Sequence, residues 1–133
     1  MINLTQPELK CVTDTTFLLT KSLVIDKIIS MMEILQEKLI FICSPEKITN
    51  DLNTFTLNPK ISKGENYNHL PYVVLDYPRV FKSEKVFAFR TMFWWGNEFS
   101  FTLQLSGELL KKYRSIICNN KHSILHKNIY ICQ

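Results

Sequence analysis

The stretch Phe99-Ser-Phe-Thr-Leu-Gln-Leu-Ser106 alternates apolar and polar residues without exception. Successive side chains in a strand point to opposite sides. Phe99, Phe101, Leu103 and Leu105 therefore share one side, and Ser100, Thr102, Gln104 and Ser106 the other. A helix would scatter both sets around its axis. Immediately upstream, Val86 to Trp95 reads as a second strand, and Gly96-Asn97 marks a hairpin between the two. Phe87, Phe89, Phe93 and Trp95, with Thr91 among them, lie on one side of that strand. Val86, Ala88, Arg90, Met92 and Trp94 lie on the other.

Directly opposed residues of an antiparallel pair point the same way, so loop length decides which sides meet. A two-residue Gly96-Asn97 turn pairs Trp95 with Glu98 and sets Arg90 against Leu103 on an otherwise apolar surface. An odd loop pairs Trp95 with Phe99 and Trp94 with Ser100, and joins the two aromatic sides. Burying an unpaired arginine costs several kcal/mol, more than turn preference returns, so the hydrophobic pattern predicts the odd loop. Tyr72 to Tyr77, ending at Pro78, extends the scheme. Val73, Leu75 and Tyr77 join the aromatic side, and Tyr72, Val74 and Asp76 join the Arg90 side.

Phe17 to Leu39 contains neither Gly nor Pro. Phe17, Val24, Ile28, Met31 and Leu35, widened by Ile25, Met32 and Leu39, recur at spacings of three and four. That predicts one amphipathic helix of roughly 36 Å. Thr13-Asp14-Thr15 supplies its cap, and Asp26, Ser30, Glu33, Gln36 and Glu37 form its wet face. Pro7 can start a short turn of helix before it. Leu39 to Cys43 either ends the helix or forms a short strand, and Ser44-Pro45 stops it. Residues 44–60 read as irregular, and Lys63-Gly64-Glu65-Asn66 as a turn. Gly107 to about Cys118 reads as a helix ended by Asn119-Asn120, and Ile129 to Cys132 as a final short strand. The expected fold is one α+β domain over residues 1–133. A long N-terminal helix packs on an antiparallel meander of three to five strands, followed by a C-terminal helix and the final strand.

With 133 residues, 46% apolar and 21% charged, the chain can enclose one core, and disorder is excluded as its main state. The net charge of +4 is spread along the chain. Lys, Ile, Asn, Phe, Tyr and Met, all with AT-rich codons, account for 55 of 133 residues, so codon bias explains part of the lysine excess. Nucleic acid is not an expected partner: Arg79, Lys82, Lys85 and Arg90 stand near aromatics, but no RNP-like pattern accompanies them. The longest apolar run, Leu39 to Cys43, is too short to cross a membrane. The N-terminus lacks a basic-then-apolar leader. Cys11, Cys43, Cys118 and Cys132 each adjoin apolar residues and form no C-x-x-C, which reads as buried free thiols in the cytoplasm.

The strongest candidate site is the side carrying Tyr72, Asp76, Arg90, Trp94, Ser100, Thr102 and Gln104. A cation, an anion, aromatics and hydroxyls on one sheet face suit a small anionic or planar ligand. A solvated outer face, with an Asp76–Arg90 pair worth under ~1 kcal/mol, is the plainer alternative. Trp94-Trp95 can present only one indole to the core, which leaves Trp94 for a partner or a second layer. His122 and His126 are four apart without H-E-x-x-H, and no metal or cofactor is expected. No phosphate-binding glycine loop and no nucleophile motif occurs.

Ile61-Ser-Lys-Gly-Glu-Asn-Tyr67, Leu70-Pro-Tyr72, Leu75-Asp-Tyr-Pro-Arg79 and Phe89-Arg-Thr-Met-Phe-Trp-Trp-Gly96 together resemble a family of small uncharacterised bacterial proteins. The resemblance covers about the central third of the chain. It implies a bacterial origin and no particular activity. The residues favour a non-enzymatic binding or protein-interaction module, with an unknown protein partner or small ligand and a possible homo-oligomer. The alternative is a small enzyme or ligand-binding domain built on Asp76 and Arg90.

Overall fold

The computed structural model describes residues 3–43, 58–125 and 129–130. Its elements follow the order α1 (Gln6–Thr13), α2 (Thr15–Ile42), β1 (Lys60–Tyr67), β2 (Leu70–Lys82), β3 (Lys85–Trp94), β4 (Phe99–Ser106), α3 (Gly107–Asn119) and α4 (Lys121–Leu125). The strands form one antiparallel meander, β1-β2-β3-β4. The fold is α+β, with the long helix α2 ahead of the sheet and two shorter helices after it.

Asp14 caps α2, accepting the Phe17 backbone N–H at 3.1 Å, and Cys43 N–H closes the helix on the Leu39 carbonyl at 2.7 Å. Leu39 to Ile42 thus continue the helix, which spans about 42 Å. Its buried stripe is Ile25, Ile28 and Met32, flanked by half-buried Val24, Ile29, Leu35 and Leu39. Those residues pack on Val73, Leu75 and Tyr77 of β2, with Ile61 of β1 and with Phe93 and Trp95. Phe17 and Met31, expected in the stripe, lie 54% exposed. The other six expected residues are buried or half-buried, with Ile29 added, so the stripe is centred on the Ile25–Met32 edge of the expected one and packs mainly on β1 and β2.

The β3–β4 register pairs Phe93 with Phe99, Arg90 with Thr102, Phe89 with Leu103 and Phe87 with Leu105. The side-sharing follows the hydrophobic pattern, and Arg90 escapes the apolar side. The pairing itself is one step from the expected Trp95–Phe99, because Asn97 N–H bonds the Trp94 carbonyl at 3.0 Å and closes the turn further back. Val80 and Leu109 form a second small core with Phe87 and Tyr113. By alternation Phe87 lies on the aromatic side, so α3 meets the sheet on the same side as α2.

Other expectations are corrected. The β1–β2 turn is Asn68-His69, with φ of 49° and 66°, rather than Lys63–Asn66. Both central residues of this two-residue hairpin loop need positive φ, which Asn and His tolerate better than most. The glycine in Lys63-Gly64-Glu65-Asn66 is instead a strand position, where the Tyr72 ring lies so close that an added Cβ would sit 2.6 Å from it. β2 does not stop at Pro78. Register shifts between Asp76 and Arg79, placing Tyr77 and Pro78 opposite Phe89 alone. Such a bulge carries the strand past a residue with no N–H, and Lys82 and Lys85 then pair at the end of the β2–β3 hairpin. Cys11 and Cys118 are exposed and Cys43 half-buried, because α1 buries none of its residues and α3 only Leu109; Cys132 lies outside the described residues. Ile129 and Tyr130 are exposed and form no strand; Ile131 and Cys132 lie outside the described residues, as does His126.

Candidate functional site

Register places every residue of the expected site on one side of the sheet. Tyr72 opposes Trp94, Asp76 opposes Arg90, Arg90 opposes Thr102, Met92 opposes Ser100 and Ala88 opposes Gln104. Their circumstances differ. Ser100, Thr102 and Gln104 on β4 are exposed, whereas Asp76 is 7% exposed. Val74 and Ala88, on the same side, are buried as well.

Arg90 and Asp76 form a fork. Nε reaches Oδ1 at 2.7 Å and the second guanidinium nitrogen reaches Oδ2 at 2.8 Å. Both carboxylate oxygens are engaged in a geometry that adds specificity as well as energy. Those hydrogen bonds push the guanidinium up from its ordinary value, against the lowering effect of its own burial. The carboxylate is thus committed to arginine and is poorly placed to serve as a general acid or base.

Beside the fork sits an aromatic cluster that sequence reasoning recognised only in part. The Tyr67 and Trp94 rings meet edge-on with centroids 5.2 Å apart, Tyr67 and Tyr72 likewise at 6.1 Å. The Trp94 indole N–H donates to the Tyr67 carbonyl at 3.0 Å. Tyr67 was hidden by the turn assigned to Gly64; an Asn-His pair before Leu70 was the available signal. Trp94 is therefore held by this chain's own tyrosines. Trp95 turns to the other side, edge-on to Phe17 at 6.4 Å and to Phe93 at 6.2 Å. Of the basic residues near these aromatics, Arg79 donates from Nε to the Asn58 carbonyl at 2.8 Å, and Arg90 is held by Asp76.

The second feature lies across the sheet. A groove of about 470 Å³ runs between α2 and β4, lined by Met31, Met32, Ile34, Leu35, Lys38, Thr91, Phe99 and Phe101. Phe101 is 62% exposed and stacks on Phe89 with ring centroids 6.5 Å apart. Leu103 beside it is 51% exposed, and Met31 and Ile34 on the helix are 54% and 56% exposed. This strip is open because α2 covers β1 and β2 and stops short of β4. It forms one apolar surface, of the kind that marks interaction sites. The sequence pattern assigns Met31, Phe99, Phe101 and Leu103 to the dry core and says nothing of Ile34, so it does not offer them as a site.

Among the described residues no group of three His, Cys, Asp or Glu is placed to hold a metal ion, and no helix is long and apolar enough to cross a membrane. No family model, curated protein or solved structure matches the chain.

Proposed function

We propose that this protein is a non-enzymatic protein-interaction module that binds through the aromatic strip between α2 and β4. The observation carrying this reading is the exposure of Phe101, Met31 and Ile34 around one groove, continued along the same side of β4 by Leu103. Large side chains left in water at one place cost hydration free energy that a partner's surface would recover, about 25 cal/mol per Å². A cytoplasmic setting belongs to the same proposal, since Cys11, Cys43 and Cys118 are free thiols.

The alternative, a ligand-binding or catalytic role at Arg90, has less support. Its buried carboxylate, Asp76, has both oxygens occupied, and the neighbouring Trp94 N–H is spent on a backbone carbonyl. A photo-crosslinking residue at Leu103 tests the choice in cells. Discrete protein adducts from position 103, with none from position 63 on β1, are expected. Adducts from neither position, or equally from both, would remove the strip as a binding surface.

A further inference from the structure

We infer that the partner is a second copy of the chain, joined through the outer edge of β4, which no described strand pairs with, in antiparallel pairing with β4 of its twin. This deepens the interaction reading and rests on it. The argument begins with the two sheet edges. β1 spans Lys60–Tyr67 and carries Lys60, Lys63 and Glu65, together with a register shift between Gly64 and Tyr67. Charges and bulges are the usual means by which a sheet edge refuses another strand. β4 has none of them. Its eight residues include no charge, no proline and no glycine. Its register against β3 runs unbroken from Val86–Ser106 to Phe93–Phe99, and Phe99 through Gln104 are exposed.

The alternation in β4 also selects what can pair with it. Opposed residues in antiparallel pairing share a side, so a partner strand needs the same apolar-polar alternation in phase. A second β4 provides it. A two-fold axis perpendicular to the sheet, centred on Thr102, sets Thr102 across from its equivalent. Phe101 then faces the partner's Leu103, and Phe99 the partner's Leu105. The hydroxyl and amide row likewise meets itself. With no charge on either strand, two copies of a chain carrying +4 meet without like charges at the seam.

The exposed parts of Phe99, Phe101 and Leu103 come to roughly 300 Å² per copy. Strand backbone and the polar row add a comparable amount. Pairing in the plane of the sheet covers only the flanks of these side chains, so the total falls below the roughly 1,200 Å² of stable specific interfaces, in the range of weak contacts. The expected species is therefore a reversible dimer. Because the contact is isologous and the β1 edges are guarded, assembly closes at two copies instead of continuing as a fibre.

Sedimentation equilibrium of the full chain from about 1 to 300 µM, a range that brackets micromolar affinity, should show a monomer–dimer equilibrium. Leu103→Lys, which places a charge on the edge, should weaken dimerisation at least tenfold with an unchanged far-ultraviolet spectrum. Lys63→Thr on β1 should leave it unchanged. Thr102→Cys, with the native cysteines replaced by serine, should form a symmetric disulfide under mild oxidation, since opposed Cα atoms lie about 5 Å apart. That variant decides the matter if Leu103→Lys fails to fold. A wild-type chain monomeric throughout, an undiminished dimer in folded Leu103→Lys, or no disulfide at position 102 would each overturn the inference. Adducts at position 103 that contain only other proteins would also overturn it, while leaving the interaction reading standing; the absence of any adduct there would remove both.

Discussion

Neither side of the sheet is wet or dry as its composition alone would have it. The side with five phenylalanines along β3 and β4 is dry beneath α2, where Val73 and Leu75 are fully buried, and beneath α3, where Val80 is 5% exposed, but Phe101 on the same side is 62% exposed. The side with the ion pair is dry at its centre, where Val74, Asp76 and Ala88 are 4%, 7% and 1% exposed. Alternation along a strand tells which residues travel together. What lies across from them decides whether they leave water, and that depends on where a helix of fixed width settles. Here α2 sits on β1 and β2 and α3 on the Phe87 end of the face, and the part around Phe99, Phe101 and Leu103 stays open.

The sharpest break in the comparison is between two apolar positions of the same side. Leu75→Ala should lower unfolding free energy by about 3–4 kcal/mol, the usual cost of a cavity at a site that cannot collapse. Phe101→Ala, which removes a larger side chain, should cost under about 1 kcal/mol, because most of that ring is already in water. Urea titrations of the two variants check it. Equal losses would mean that the strip is covered within the free chain, and the interaction reading would lose its support.

A smaller effect tests the other side. Arg90→Ala leaves the Asp76 carboxylate, with 9% of its side chain exposed, without its two donors, a loss of about 2–3 kcal/mol. Asp76→Ala removes the other member of the same pair. The Arg90 side chain is 46% exposed and can regain water, so about 1 kcal/mol is expected. The order of the two losses is the prediction, read from urea midpoints at constant slope. A reversed order would mean that the guanidinium, and not the carboxylate, is the group that burial isolates.

What was legible in the sequence follows from the same physics. Residues Phe99–Ser106 declared their sides unambiguously, and Arg90 excluded the wrong parity of loop. The Asp76–Arg90 pairing and the shared side of the seven candidate residues could therefore be read before any coordinates. Parity is a two-valued question with a large energy at stake. The Phe93–Phe99 pairing, one step from the expected one, was not legible, because neighbouring registers of the same parity differ only in turn details. Gly64 drew the turn to itself since glycine is the commonest source of positive φ; Asn68 and His69 supplied it instead. Pro78 read as a strand end because a bulge at proline leaves no pattern in one sequence. The open strip was least legible of all. It depends on which edge of a broad apolar stripe α2 turns to the sheet: Met32 is fully buried as expected, and Met31 beside it lines the groove instead.

The finest test concerns polar groups that both sides keep dry. Asp76 is satisfied twice over, yet Thr91 Oγ, under α2 at a residue 1% exposed, has no hydrogen-bond partner among the described residues. Nothing in its surroundings explains the hydroxyl, which sits between Leu75 and Phe101 in the cross-strand row. Thr and Val are both β-branched and suit a strand equally well. Thr91→Val replaces an unmatched oxygen with a methyl group of similar size and removes the desolvation cost without opening a cavity. A gain of about 1 kcal/mol is expected, seen as a higher urea midpoint with the slope unchanged. A loss of stability would show that the hydroxyl finds a partner in solution, and the dry half of the aromatic side would then be wetter than its packing implies. If the gain appears together with an unaltered monomer–dimer constant, the floor of the groove and the edge of β4 act independently. That is the expectation for a buried residue of β3 that lies one strand away from the seam.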